Sequence, residues 1–265
     1  MVSGTGRKTI AVAGVLAAVA GGAVIARADQ PSARTAQAAG GLSASPVLIE
    51  RAAQAGAVNT MTVANNSKAA LTVTVNARPW TQSASGTVSP KRSASLAGVE
   101  VSEKQFTLAP GKNKDIVVTL KSAPSAGYLY GAVEVVGLPT DIAKRKGIVA
   151  GYRILGTLRY NSAAPTYSLK LGSAKVSGKG SAKTLTLGVK NAGNTLAPVT
   201  GSVRLKGPTG TKNASLKATR ILPGKTIALP LVSAKGLSAG SYTATVTLTQ
   251  AKQKTTITKK ITVRR

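Results

Sequence analysis

A chain of 265 residues with no cysteine, no histidine and only seven carboxylates against 36 lysines and arginines excludes disulfide staples, thiolate or imidazole catalysis and the commonest metal sites. Hydrophobic residues make up 43% of it but aromatics only 3%, so any core is built from Val, Leu, Ile and Ala with Thr on the exposed faces, a β-rich composition. The net charge of +29 is one-sided along the chain: after Asp141 there is no acidic side chain at all, and such a surface is normally offset by an anionic partner.

Residues 1–28 read as a secretory signal peptide. Arg7 and Lys8 form a basic start, Ile10 to Ile25 an apolar stretch, and Ala26-Arg27-Ala28 a small-residue cleavage site. Ala36-Gln37-Ala38 offers a second site, so cleavage after residue 38 is the alternative. The apolar run is shorter than the ~20 residues a spanning helix needs, which leaves retention as an anchor the lesser reading and predicts no transmembrane segment in the mature chain. Residues 29–41 read as a flexible segment.

From residue 42 to 162, short β-patterned runs alternate with turn residues, and no helical repeat appears. Met61 and Val63 share a face, as do Leu71, Val73 and Val75, with Asn65-Asn66-Ser67-Lys68 as the turn between them. Phe106-Thr107-Leu108 runs into Ala109-Pro110-Gly111; Ile116, Val118 and Leu120 then alternate, and Tyr128 to Val136 and Ile148 to Tyr160 complete about seven strands. Glu100 and Glu103, the one carboxylate pair close in sequence, fall on opposite faces of an extended segment and do not converge on one bond. The pattern restarts after Ala163-Ala164-Pro165. Leu185, Leu187 and Val189 alternate up to Asn191-Ala192-Gly193-Asn194, Leu222-Pro223-Gly224 precedes Ile227, Leu229 and Leu231, and Tyr242–Thr249 with Thr255–Val263 forms a closing hairpin. The predicted fold class is all-β: two tandem immunoglobulin-like β-sandwiches, residues 42–162 and a basic domain over 165–265, after an N-terminal signal peptide.

The first domain resembles the N-terminal domain of periplasmic pilus chaperones and of WxL-interacting surface proteins of Gram-positive bacteria. The residues that carry the resemblance are Ser45-Pro46-Val47, Val63-Ala64-Asn65-Asn66-Ser67, Trp80-Thr81-Gln82, Phe106 to Gly111 and Tyr128-Leu129-Tyr130-Gly131. The second domain, with Asn191 to Asn194, Leu222-Pro223-Gly224 and Ala239-Gly240-Ser241-Tyr242, is similar to the second domain of the WxL-interacting type. The chaperone resemblance implies a strand lent to an incomplete partner and two basic residues that hold the partner's terminal carboxylate. Those positions align with Leu48 and Thr157, neither of them basic, with Arg51, Arg153 and Arg159 nearby. The WxL-interacting resemblance implies binding to wall peptidoglycan and to partner surface proteins.

Together these features predict a secreted, non-catalytic binding or adaptor protein of a bacterial cell surface or cell wall, with a periplasm-like space as the alternative compartment. In this reading the basic second domain takes an anionic envelope polymer and the first domain another surface protein. The alternative is a chaperone-like assembly factor acting by β-strand complementation. No catalytic, cofactor-binding or metal-binding residue is expected. The polyanion site is collective: Lys183, Lys190, Lys206, Lys217, Lys252, Lys254, Lys259 and Lys260. Nucleic acid is disfavoured because export and the scarcity of aromatics among these cations argue against base stacking. Trp80, the only tryptophan, is expected to cover one end of the first core.

Overall fold

A computed structural model describes residues 10–14 (backbone only), 41–178, 183–235 and 237–264, and among them every regular element is a β-strand. The rest of the segment expected to be a signal peptide, and residues 29–40, lie outside the described residues. Gly41, assigned by sequence to the flexible segment, is buried, and its carbonyl accepts a hydrogen bond from the Asn66 amide at 2.6 Å.

The chain divides into two compact units, residues 1–80, 90–125 and 129–160 in the first, and residues 81–89, 126–128 and 161–265 in the second. In the first, β2 (Leu42–Ser45), β4 (Ala57–Asn65), β9 (Asn113–Leu120) and β7 (Val99–Val101) form one sheet in the order β2-β4-β9-β7. The opposing sheet runs β1 (Ile10–Gly14), β11 (Val149–Asn161), β10 (Leu129–Pro139), β5 (Leu71–Gln82) and β6 (Val88–Pro90), with β3 (Leu48–Ala52) also on β11 and β8 (Gln105–Leu108) also on β5. The period-2 alternation of Val and Leu with Thr turns one row of each strand inward: Met61, Val63, Leu71, Val73, Val75, Ile116, Val118, Val133, Val135 and Leu158 are all fully buried in one cluster. Trp80 is not in that cluster. It shares its strand face with Arg78, opposite Val75 and Ala77, and is only half-buried, which corrects the core-covering role expected of it.

The second unit is a three-stranded sheet, β12 (Leu169–Ser177), β13 (Thr184–Asn191) and β16 (Thr226–Ser233), facing a four-stranded one. The latter runs β15 (Gly210–Thr219), β14 (Val199–Gly207), β17 (Gly240–Gln250), β18 (Gln253–Val263). Its core holds Leu185, Leu187, Val189, Val203, Leu205, Ile227, Leu229, Ala244, Val246 and Leu248. The Thr243-Ala-Thr-Val-Thr-Leu-Thr249 run behaves as its alternation requires, with the apolar residues buried and the threonines turned to the outer face.

Both units close one corner with the same device. Asn65 and Asn191, each fully buried at the end of a strand, donate two side-chain hydrogen bonds apiece: Asn65 to the carbonyls of Ala69 and Leu108, Asn191 to those of Thr195 and Ile221, all at 2.7–2.9 Å. The amide oxygens accept from the backbone two residues on, Ser67 and Gly193, each at 3.0 Å. Gly111 and Gly224 complete the corner by donating to the Asn65 and Asn191 carbonyls. Each of these glycines has a positive φ, +71° and +76°, that a side chain would strain.

Within the second unit, Gln82 is buried and spans two backbone groups, donating to the Arg220 carbonyl at 2.9 Å and accepting from the Leu222 amide at 2.9 Å. A fragment that begins at Pro165 lacks this partner. We therefore expect residues 165–265 alone to unfold at lower denaturant than the same unit in the full chain, by about 1–3 kcal/mol, and Gln82→Ala in the full chain to reproduce most of that loss. Equal stability of fragment and full chain in urea titrations would show that Gln82 contributes nothing.

Candidate functional site

The first candidate is the free side of β11. One side of this strand carries β10 in an unbroken antiparallel register from Leu129↔Tyr160 to Gly137↔Tyr152. On the other side the Thr157 amide donates to the Val47 carbonyl at 2.7 Å, next to β3, which leaves the N-terminal half of the strand to something else. Because amides alternate sides along a strand, those of Val149, Gly151, Arg153 and Leu155 point the same way as that of Thr157. An edge of this kind is a template for another extended segment. In the structure it is taken by β1, which runs parallel to it over five residues, Ile10↔Val149 to Gly14↔Arg153. The segment that pairs there, Ile-Ala-Val-Ala-Gly, belongs to the apolar run that the sequence reads as a signal. Beside this half of β11 lies an open cavity of about 360 Å³ lined by Ser67, Lys68, Leu71, Arg145, Ala150 and Tyr152.

The basic residues near β11 are largely engaged. Glu134, on the outer face of β10 and almost inaccessible, takes Arg153 at 2.7 Å, Arg78 at 3.4 Å and Arg92 at 3.6 Å. Arg51 donates to the Asn59 side chain at 3.1 Å, and Asn59 in turn reaches the Tyr160 hydroxyl. Burial raises the pKa of that hydroxyl above the usual phenol value. Arg159 meets Glu50 at 3.5 Å, while its buried Nε has no hydrogen-bond partner. Leu48 is exposed and Thr157 half-buried, so the two aligned positions supply no charge, and Arg51 and Arg159 project to opposite faces of their strands. Glu100 and Glu103 are each paired with a different lysine, Lys121 and Lys114.

The eight lysines singled out in the sequence do not form one cluster. Lys206, Lys217, Lys254 and Lys260 lie on the exposed outer face of the β15-β14-β17-β18 sheet, in the rows of Thr243 and Thr249. Lys190 lies on the outer face of the other sheet, directly opposite Lys170, a like-charge juxtaposition that costs stability. Lys252 sits in the turn between β17 and β18, and Lys259 is half-buried in β18. Lys183 and Lys260, with Lys175 and Arg264, are among the residues that line a groove at the side of the sandwich where β12 and β18 are the last strands of their sheets. The groove is invisible in the sequence because it depends on two strands some eighty residues apart, and Lys175 and Arg264 carry no local signal that marks them. No helix among the described residues is long and apolar enough to cross a membrane.

No protein-family model matches the chain, and no curated protein matches it in sequence. Solved structures do match in fold. The class 5 fimbriae chaperone CfaA is 15% identical with a TM-score of 0.53, covering 82% of this chain and 98% of its own. A second match comes from a chaperone–tip adhesin complex in the biogenesis of CFA/I fimbriae, 14% identical with a TM-score of 0.52 over the same shares of the two chains. The chain therefore has the all-β, immunoglobulin-like tandem fold seen in fimbrial chaperones.

Proposed function

We propose that this protein is an exported, non-catalytic assembly factor that holds an extended apolar segment of another surface protein along the free side of β11, in the manner of a chaperone. The observation that carries the reading is the five-residue parallel pairing of Ile10–Gly14 with Val149–Arg153. It supports this choice of edge, a parallel direction for the added strand and an apolar sequence for it. Once a signal segment is removed, the outward amides from Val149 to Leu155 have no strand beside them, and a partner's segment satisfies them in the same register. The likeness to fimbrial chaperones favours this reading over the wall-polymer adaptor that the sequence ranks first. It does not extend to a carboxylate clamp, because the aligned positions are Leu48 and Thr157.

The test uses the chain from Ala39 onward and a labelled peptide with the sequence of residues 8–17. Arg153 presents its amide to the open edge, so Arg153→Pro removes a donor there without taking one from the β10 ladder. Arg153→Gln loses the same ion pair to Glu134 but keeps the amide. Peptide affinity is expected to fall about tenfold or more in the proline variant relative to the glutamine variant, the worth of one hydrogen bond plus local ladder disruption. Equal affinities, or no peptide binding to the parent chain, would remove the proposal.

A further inference from the structure

We infer that the outer face of the β15-β14-β17-β18 sheet binds a linear anionic glycan, a sugar polymer that carries acid groups among free hydroxyls. This does not depend on the strand-holding reading of β11, which concerns the other unit. The face is defined by register. β17 pairs without a shift with β18, from Gly240↔Val263 to Gln250↔Gln253, and with β14, from Lys206↔Thr243 to Val199↔Gln250. Val203, Leu205, Ala244, Val246 and Leu248 are buried, so the residues between them stand together on the opposite side. The two middle cross-strand rows there read Arg204-Thr245-Thr258 and Ser202-Thr247-Thr256, and the rows that flank them end on β18 in Lys260 and Lys254. Within the middle rows Thr245 pairs with Thr258 at 3.3 Å and Thr247 with Thr256 at 3.0 Å. Each pair uses one hydroxyl proton and leaves the other, with several lone pairs, for a ligand. The other sheet of the unit offers no such surface, because its outer rows are interrupted by register shifts at Leu171/Ala174 and Leu185/Thr186 and by Gly188 and Pro230.

The composition of the face selects its occupant. Arg204, Lys206 and Lys260 stand toward one end and Lys217 and Lys254 at the other, and the whole second unit contains no acidic side chain, so the charge that complements this face is negative. Protein interfaces are anchored by large apolar and aromatic side chains, and single-stranded nucleic acid stacks on aromatic platforms; these rows hold neither. An acidic polypeptide would meet the cations but bring nothing for the hydroxyl rows between them. A glycan with acid groups meets both, since its own hydroxyls donate to and accept from the threonines while its acid groups lie over the cations. A polymer, rather than a single sugar, follows from the reach of the site. Lys254 and Lys260 are six residues apart on one strand, about 20 Å, with Thr256 and Thr258 between them in the same outward row.

The full chain is titrated calorimetrically with polygalacturonate, and in parallel with polyglutamate of the same total charge, which presents the same carboxylates without sugar hydroxyls. A charge variant carries Arg204→Gln, Lys206→Gln, Lys254→Gln and Lys260→Gln. Its control carries Lys170→Gln, Lys175→Gln, Lys190→Gln and Lys225→Gln, all exposed and none on this face. A hydroxyl variant carries Thr245→Val, Thr247→Val, Thr256→Val and Thr258→Val, which removes both members of each hydroxyl pair and keeps β-branched residues in the strands. We expect the charge variant to bind polygalacturonate about 30-fold more weakly and the control within about threefold of the parent, with affinity falling as salt rises. The hydroxyl variant should lose about tenfold toward polygalacturonate and keep the parent's affinity for polyglutamate. Thermal melts without polymer confirm that the variants fold; should four valines cause aggregation, Thr245→Val with Thr258→Val alone carries the same test. Equal losses in the charge variant and its control, or no binding of polygalacturonate by the parent chain, would overturn the site. A hydroxyl variant that binds polygalacturonate as the parent does, or that loses both polymers equally, would overturn the choice of a glycan.

Discussion

Asn191→Ala is expected to destabilise the second unit by about 3–5 kcal/mol, and Asn65→Ala the first by a similar amount, each visible as an early transition in urea or thermal unfolding. The reasoning is a count of orphaned groups. Alanine at 191 removes the donors to Thr195 and Ile221 and the acceptor for Gly193, and the Asn191–Ile221 bond is itself buried, where water does not replace the lost partner. Each buried backbone group left unsatisfied costs about 1–3 kcal/mol, and the vacated volume adds to it. Asn191→Asp separates the two contributions: it is nearly isosteric, keeps the acceptor for Gly193 and turns a carboxylate oxygen toward two carbonyls. It should be at least as damaging as alanine. If Asn191→Asp proves near neutral, the corner is held by Leu222-Pro223-Gly224 alone and the side-chain bonds contribute nothing. The expectation for Asn65 has the same form, because Leu108 to Lys112 occupies the place that Ile221 to Lys225 takes in the second unit.

That correspondence shows what kind of information a sequence of this composition carries. Asn65 and Asn191 announce themselves as turn residues, and Pro110-Gly111 and Pro223-Gly224 as turns of their own; the bonds joining each asparagine to its distant turn depend on sheet pairing that local pattern does not encode. The inward rows of β4, β5, β9, β13, β16 and β17 are legible because apolar residues recur at every second position, with Thr between them in β4, β5, β13 and β17. β15, reading Gly-Thr-Lys-Asn-Ala-Ser-Leu-Lys-Ala-Thr, has a weak alternation and becomes a strand through the tight turn that folds it back on β14. The inclusion of Thr81–Ser89 in the second unit is also beyond local pattern, since nothing near Gln82 marks Arg220 and Leu222 as its partners. For function the division is similar. The sequence displays the absence of acid beyond Asp141, but the sorting of its lysines among two outer faces, a turn and a groove follows from strand register. Likewise, Ile10–Gly14 reads as a leader core, and the local pattern does not show that it lies parallel to Val149–Arg153 along one edge of β11.

Glu134 supplies the test of how the first unit tolerates its own charge. It is the one carboxylate among the described residues with three arginines in range, its side chain is 6% exposed, and its neighbours Arg78 and Arg153 are themselves largely covered. Paired charges in such a place contribute little net stability relative to apolar residues of the same shape, because taking them out of water offsets their attraction. Removing only the carboxylate is different: Glu134→Gln leaves Arg78 and Arg153 close together, half-desolvated and without a counter-charge. The expected cost is about 3–5 kcal/mol in unfolding free energy, with partial recovery as salt screens the two guanidinium groups. Arg92, more than two-thirds exposed, turns to solvent and adds little. Replacing the group as a whole, with Glu134→Leu, Arg78→Met and Arg153→Met together, should bring stability back to within about 1–2 kcal/mol of the parent, since no charge is then left alone. A triple variant as unstable as Glu134→Gln would show instead that the hydrogen bonds, including the one from Arg78 to the Ala94 carbonyl, hold the 90–98 segment onto β5 in a way that apolar packing does not replace.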